Sequence, residues 1–351
     1  MDLLPRSRDV QRMRQRCKTF TNLVTVEAFS KLIRIPVSDL QHLASNGKYR
    51  TFTVAKKDGG ERLIETPEFQ LKKVLDHINR FLSACYYFQR TPPAYGFVVN
   101  GKNDRDRRNI VTNARRHLKK TYLLNIDLKN FFHTVSAVMI QDIYLQPPFR
   151  FEHELALLLT QLTTHNNRLP MGSPTSPVLS NFACRQFDHT LLHYAKANKC
   201  YFTRYADDLS FSSMEAIEET HIEAIKRIVV QYGFTVNDKK IKLYKENDMK
   251  EVTGLILTDR VSLPNHFIPE LEKEITELAK VVRIQNKHGE LYTEWVDNFK
   301  LRIKGKLNFI AYINGKQDEK YKALNQSFRE ASVPPASEFG AYSWFDFTYK
   351  V

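Results

Sequence analysis

Apolar residues recur along this chain at three different spacings, and each spacing predicts a different element. Leu71, Val74, Leu75, Ile78 and Leu82 return every three or four positions, so a helix opening at Thr66-Pro67-Glu68 should run to about Leu82. Residues 51–54 alternate among β-favouring types, residues 56–62 form a turn with cations on both sides, and residues 62–65 return, which predicts a hairpin. Residues 121–127 are a β-rich apolar run that ends on a carboxylate, as expected of a buried strand. Residues 200–212 read as strand, turn, strand.

The rest of the chain fills in around these. Residues 1–48 read as short helices, and helical patterns occupy about 136–145, 152–163, 177–197 and 215–232. Short strands are expected between 234 and 258. After Pro269 the pattern changes to charged amphipathic helices, at about 270–287 and 291–312. Residues 313–351 look irregular and carry a late aromatic cluster, Tyr342, Trp344, Phe345, Phe347 and Tyr349. The order is a basic hairpin lobe, a mixed centre and a helical C-terminal lobe, an α+β reading with a central sheet.

Composition narrows the function classes. With 42% hydrophobic and 26% charged residues the chain has the apolar surface to fold, which excludes a mainly disordered protein. No apolar stretch approaches a membrane span, and no apolar run follows the first positive charges, so neither a membrane nor a secretory route is expected. The cytoplasm is then the default. Cys17, Cys85, Cys184 and Cys200 are scattered, without zinc spacing, and read as reduced thiols. The net charge of +14 favours a polyanionic partner, nucleic acid before membrane. Two windows concentrate it. Arg6, Arg8, Arg12, Arg14, Arg16 and Lys18 make the first helix basic, either as a nucleic-acid arm or as a solvated face. Residues 101–120 hold eight Lys or Arg against two Asp.

The carboxylates carry the chemistry. Asp207 and Asp208 sit in the turn of the second predicted hairpin, where adjacent side chains can converge. Like charges this close need a compensating cation. Asp127 ends a separate strand. If the two strands are neighbours, three carboxylates meet at one sheet end, an all-oxygen set suited to Mg²⁺. Two such ions about 3.5–4 Å apart can clamp both oxygens of a phosphoryl transfer. An Asp-Asp pair alone is more often ordinary turn chemistry.

The residues around the carboxylates change that balance. Tyr205-Ala206-Asp207-Asp208 on a hairpin resembles the signature of reverse transcriptases. Residues 125–132, ending in Phe131-Phe132, are similar to that family's first catalytic block. Residues 169–177, with Pro170, Met171 and Gly172, are similar to its nucleotide-positioning loop. Residues 233–240 are similar to its fourth palm block, and Lys56 to Arg62 to its fingers hairpin. Five collinear blocks over about residues 50–312 make a specific resemblance. Within the family, residues 113–117 resemble the Asn-Ala-x-x-His element of retron enzymes, and Val252-Thr253-Gly254 their Val-Thr-Gly element.

The resemblance implies a right-hand polymerase. Residues 1–48 would be an N-terminal helical extension, 49–120 the fingers, 121–258 the palm (with fingers-derived helices around 136–165), 259–312 the thumb, and 313–351 a tail of unassigned role. It implies that Asp127, Asp207 and Asp208 hold two Mg²⁺ ions, with Mn²⁺ as a substitute and the carbonyl of Leu128 as a further ligand. Lys56 or Lys57, and Arg62, would reach the triphosphate; Arg can do so bidentately. Phe132 would stand under the nucleotide sugar and favour deoxynucleotides. Pro170 and Gly172 would let the backbone approach the nascent pair. The family commonly has Gln where this chain has Met171, which cannot donate an amide hydrogen bond. Lys240, with Lys239 as the competing assignment, would protonate the leaving pyrophosphate. Asn113, Arg115, Arg116 and His117 would contact RNA, although a buried His117 fits the pattern equally. Lys300 and Lys304 would help a thumb grip the template–primer.

The implied reaction is RNA-templated DNA synthesis from dNTPs. A bacterial retron enzyme would copy its cognate non-coding RNA, as template and primer, into branched RNA-linked single-stranded DNA (msDNA), with an RNA–DNA hybrid on the way. It would act in anti-phage defence beside an effector protein. No room is expected for an RNase H, maturase or endonuclease domain. The rivals are another bacterial defence-type reverse transcriptase, protein-primed or template-independent, and a non-catalytic RNA-binding scaffold with a polymerase fold.

Overall fold

The computed structural model describes residues 8–55, 59–288 and 294–333. The chain divides into two compact units, Met1–Thr253 and Gly254–Val351.

The first unit opens with three helices, α1 (Arg8–Thr21), α2 (Val26–Ile33) and α3 (Val37–Asn46). β1 (Tyr49–Ala55) and β2 (Glu61–Pro67) pair antiparallel, with Val54 opposite Arg62 and Tyr49 opposite Pro67. The hairpin is therefore where the alternation predicts it. The following helix starts later and runs further than its apolar pattern suggests: Pro67 still belongs to β2, and α4 spans Phe69–Gln89. A short helix, α5 (Ile110–Arg115), leads to β3 (Tyr122–Asp127). Next come α6 (Phe131–Thr134), α7 (Ala137–Leu145) and α8 (His153–Thr163).

The single helix expected over 177–197 is two, α9 (Ser176–Ala183) and α10 (Arg185–Ala197). The break falls at Cys184, where ψ is 1° and the N–H turns to the carbonyls of Phe182 and Ser180. The apolar pattern continues across it because both helices are buried there, so the sequence carries no mark of the bend. β4 (Tyr201–Tyr205), β5 (Asp208–Ser213), α11 (Glu219–Gln231), a 3-10 turn (Asp238–Lys240), β6 (Lys242–Tyr244) and β7 (Lys250–Val252) complete the unit.

One antiparallel sheet of order β4-β5-β3-β6 organises it. β3 reads as a continuous apolar run because Leu123, Leu124 and Ile126 are all buried. The core extends beyond the sheet to an aromatic cluster in which Phe20 meets Phe81, Phe149 and Phe151.

The second unit contains β8 (Leu255–Leu257), which pairs with β9 (Val261–Ser262), and three helices, α12 (Phe267–His288), α13 (Glu294–Asn314) and α14 (Glu319–Ala331). Leu271, Leu278, Ile303, Leu307 and Ile310 form its separate core. α14 corrects the expectation that 313–351 is irregular. It is a polar helix with Leu324 and Ala331 as its only buried residues, so its apolar stripe is too narrow to stand out. The aromatic cluster at 342–349 lies outside the described residues. No helix among the described residues is long and apolar enough to cross a membrane.

Candidate active site

β3 and β5 are neighbours, and their register sets Asp127 opposite Asp208. Asp207 occupies the turn between β4 and β5, and its carbonyl accepts from the Leu128 N–H at 3.0 Å. Two segments distant in sequence thus bring three carboxylates to one sheet end. The strip after α11 closes the other side of β3: Asn237 N–H donates to the Asp127 carbonyl at 2.8 Å, and Lys129 N–H to that of Thr235 at 2.8 Å.

The turn is held in an unusual shape. Ala206 has φ of 58°, a left-handed conformation that costs a residue with a Cβ about 1 kcal/mol or more. A strap at residues 93–97 runs along the outer side of β4 and maintains it. Arg204 N–H donates to the Pro93 carbonyl at 2.7 Å, and Tyr95 N–H to that of Arg204 at 2.8 Å. Gly96 is glycine for a steric reason, since a Cβ there would lie 2.7 Å from the Ala206 nitrogen. Beneath the turn, the fully buried Arg204 makes two bonds to Asp188, at 2.6 and 2.8 Å, and donates to the Ala206 carbonyl at 3.2 Å. Gly96, Asp188 and Arg204 belong to none of the motifs that the sequence displays. An arginine two residues before the turn's alanine, between apolar and aromatic strand residues, is the one signal in the sequence that points to them.

Electrostatically the carboxylate cluster is under-compensated. Burial, then Asp207 and Asp127, push the Asp208 carboxyl up to about 7. Burial raises Asp207 as well; its own backbone N–H, Arg62 and Lys240 oppose this, and Asp127 adds to it. Lys240 Nζ stands 3.4 Å from Asp127 Oδ1, and Asn237 Nδ2 3.1 Å from Oδ2. Lys240 is therefore the lysine of the pair aimed at the carboxylates. No three His, Cys, Asp or Glu side chains among the described residues are placed to hold a metal ion as they stand. The chemistry of the donors nonetheless fits a hard divalent cation: three carboxylates share one sheet end, partly dry and short of positive charge.

Phe132 and its neighbours form a second cluster. Phe131 is core, stacked on Phe234 at 5.7 Å. Phe132 is half-buried, with its ring 5.8 Å from that of Phe97, which is 38% exposed. Phe97 was missed by sequence reading. The loop carrying Met171 and Gly172 is clamped to β2: Glu65 N–H donates to the Met171 carbonyl at 2.6 Å, and a Cβ on Gly172 would come 2.9 Å from the Glu65 carbonyl. The buried Glu65 carboxylate also takes both ends of Arg168, at 2.7 and 3.0 Å. Burial alone would raise its pKa, but the Arg168 bonds and charge hold it below the usual range. Pro170 is buried under this loop, so Met171 and Gly172 form its accessible part.

Other expected site residues lie elsewhere. Arg62 is exposed on β2, close enough to act on Asp207. Lys56 and Lys57 lie outside the described residues. Asn113 and His117 are buried, which corrects the expectation that they touch RNA. His117 bridges two strands instead, bonding Ser212 Oγ and Thr203 Oγ1 at 2.7 Å each. Burial, then Lys120 and Arg116, push its imidazole down to about 3, so it stays neutral. Arg115 and Arg116 remain exposed beside it. In the second unit Lys304 is exposed and Lys300 half-buried on α13, while Arg302 and Lys306 turn to Glu274 at 3.7 and 2.9 Å.

Comparison with known proteins agrees with this geometry. A family model described as reverse transcriptase (RNA-dependent DNA polymerase) matches residues 54–257. The retron Ec86 reverse transcriptase of Escherichia coli is 28% identical over 303 residues, 83% of this chain and 89% of its own length. The retron Mx65 reverse transcriptase of Myxococcus xanthus is 27% identical over 291 residues, 78% of this chain and 63% of its own. Telomerase from Candida albicans, solved with a TWJ fragment of telomeric RNA, aligns over 93% of this chain and 71% of that one at 11% identity. Its TM-score of 0.43 is too low to argue from. The family match covers more than half of the chain and includes every strand of the carboxylate sheet, so the chain belongs to the reverse transcriptases, the RNA-directed DNA polymerases, and the curated proteins it resembles are of the retron type.

Proposed function

We propose that this reverse transcriptase copies a cognate structured non-coding RNA into RNA-linked single-stranded DNA, as a retron enzyme acting in the bacterial cytoplasm. One observation carries the catalytic part: the β3–β5 register pairs Asp127 with Asp208 while Asp207 stands in the adjoining turn. On this reading residues 49–120 are the fingers, 121–258 the palm and 259–312 the thumb.

Each residue then has a task. Asp127, Asp207 and Asp208, with the Leu128 carbonyl, hold two Mg²⁺ ions, for which Mn²⁺ can substitute. When bound, these ions neutralise the triphosphate and favour deprotonation of the primer hydroxyl. Arg62 pairs with phosphate oxygens of the incoming dNTP, together with Lys56 or Lys57. Lys240 delivers a proton to the departing pyrophosphate; its place beside Asp127 supports this over Lys239. Phe132, backed by Phe97, excludes a ribose 2′-hydroxyl. Met171 packs against the nucleotide and Gly172 leaves it room. Arg115, Arg116, Lys300 and Lys304 hold the RNA and the RNA–DNA hybrid, and an effector protein completes a defence function.

The test is extraction of nucleic acid from the enzyme expressed with its native flanking DNA. A discrete DNA that remains RNA-linked, is released by a debranching enzyme and disappears in the Asp207→Asn, Asp208→Asn double variant is expected. Extension of a supplied primer–template without such a product would keep the polymerase and discard the retron assignment.

A further inference from the structure

The basic first helix and the basic loop at 101–107, far apart in sequence, form one surface. A Cβ on Gly101 would lie 3.0 Å from Val10 Cγ2 and 3.8 Å from Met13 Cε, so the loop rests on α1. On α1, Arg8, Arg12, Arg14, Arg16 and Lys18 are exposed, with Asp9 as the helix's one acid. On the loop, Lys102, Arg105 and Arg107 are exposed.

The loop's own acids do not offset these charges, because other arginines use them. Arg90 bonds Asp104 at 3.2 Å and Asp106 at 3.5 Å, and Arg108 bonds Asp106 at 2.6 Å. Asn100 closes the loop by bonding both the N–H and the carbonyl of Arg108, at 2.7 and 3.0 Å. Folding thus neutralises the acids and displays the remaining cations on a braced loop. A merely solvated face would have no need of this arrangement.

The neighbouring aromatic rings indicate which polyanion fits. Single-stranded RNA is held by bases stacked on open rings. Here the rings are already covered: Arg14 lies over Phe88 at 5.1 Å, Arg90 over Tyr87 at 4.4 Å and Arg108 over Tyr95 at 4.5 Å. Among the described residues of this surface, what remains is charge without an open stacking ring, which suits a phosphate backbone whose bases are paired inward.

We propose that α1 and the 101–107 loop together dock a double-stranded stem of RNA through its backbone, without reading its sequence. This rests on the RNA-directed reading of the enzyme, and its test separates the two. The full chain is titrated with a labelled RNA hairpin over a range of salt, for wild type and for two triple variants. One is Arg8→Gln, Arg12→Gln, Arg16→Gln; the other is Lys102→Gln, Arg105→Gln, Arg107→Gln.

Each triple should weaken binding about tenfold or more and lower the slope of log affinity against log salt by about 2. The Arg→Lys versions should restore both, because a backbone contact needs only the charge. kcat on a saturating short primer–template should not change. Unchanged slopes in both triples would overturn the proposal. So would a loss confined to anionic vesicles or to an acidic protein, with hairpin binding intact. Wild type that binds the hairpin with the full slope but extends no primer would instead count against the polymerase reading.

Discussion

The two ends of the polar network around the β4–β5 hairpin treat charge in opposite ways. Below the turn, Arg204 and Asp188 are both fully buried and pair through two bonds, and His117 is neutral with both ring nitrogens bonded. At the turn, three carboxylates share Lys240 and Arg62 as their facing cations, and Asp208 is pushed up to about 7. Burying a charge is costly unless it is paired. The lower region meets that requirement within the chain and serves as framework. The upper region leaves it unmet, as the proposed binding of cations and triphosphate there would require.

Three experiments break or sharpen this contrast. The largest effect is expected from Asp208→Asn, which should lower primer extension by about 10³-fold or more. The same variant should unfold at a temperature no lower than wild type, because it removes a crowded charge. Steady-state extension and thermal unfolding check the two halves. A variant that loses both activity and stability would show that Asp208 belongs to the framework instead.

Asp188→Asn should do the reverse. It strands the buried Arg204 guanidinium and should cost about 3–5 kcal/mol in denaturant unfolding. Any loss of activity should follow from the turn that Arg204 supports through the Ala206 carbonyl.

The third contrast is in pH dependence, where the two regions should have opposite signs. His117 is held near 3 against an ordinary 6.5, so the unfolded chain binds the proton better between those values. Its contribution is intact above about pH 6.5 and falls by about 1.4 kcal/mol per unit as the solution is acidified toward 3. Asp208 is raised from 3.8 to about 7, so the folded chain binds the proton better there. Its contribution is intact below about 3.8 and is lost as the pH rises toward 7. Asp208→Asn should therefore steepen the acid loss of stability, and His117→Gln should flatten it. Unfolding free energy measured from pH 4 to 8 tests both signs.

Much of the framework was legible from local pattern. The hairpin strands, the buried run ending at Asp127 and the turn at Asp207 each follow from a few adjacent residues, and the structure has them close to where the pattern sets them, except that Asp208 lies on β5 rather than in the turn. α14 and the break at Cys184 were not legible, because one has a weak apolar stripe and the other interrupts a pattern buried on both sides. Gly96, Arg204 and Asp188 were also missed. Their roles depend on partners far along the chain, and no spacing rule connects them.

The sequence by itself determined which residue types were present in which order: three carboxylates at strand ends, cations on a hairpin, a phenylalanine pair after Asp127. That information is local, because strand, helix and turn preferences are set by neighbours along the chain. Only the tertiary structure decided that β3 lies beside β5, that Asp127 faces Asp208, that Lys240 rather than Lys239 reaches them, and that His117 turns inward. These choices depend on which surfaces are withdrawn from water together. Burial decides whether a charge is compensated or left to act, and burial belongs to the packed chain as a whole.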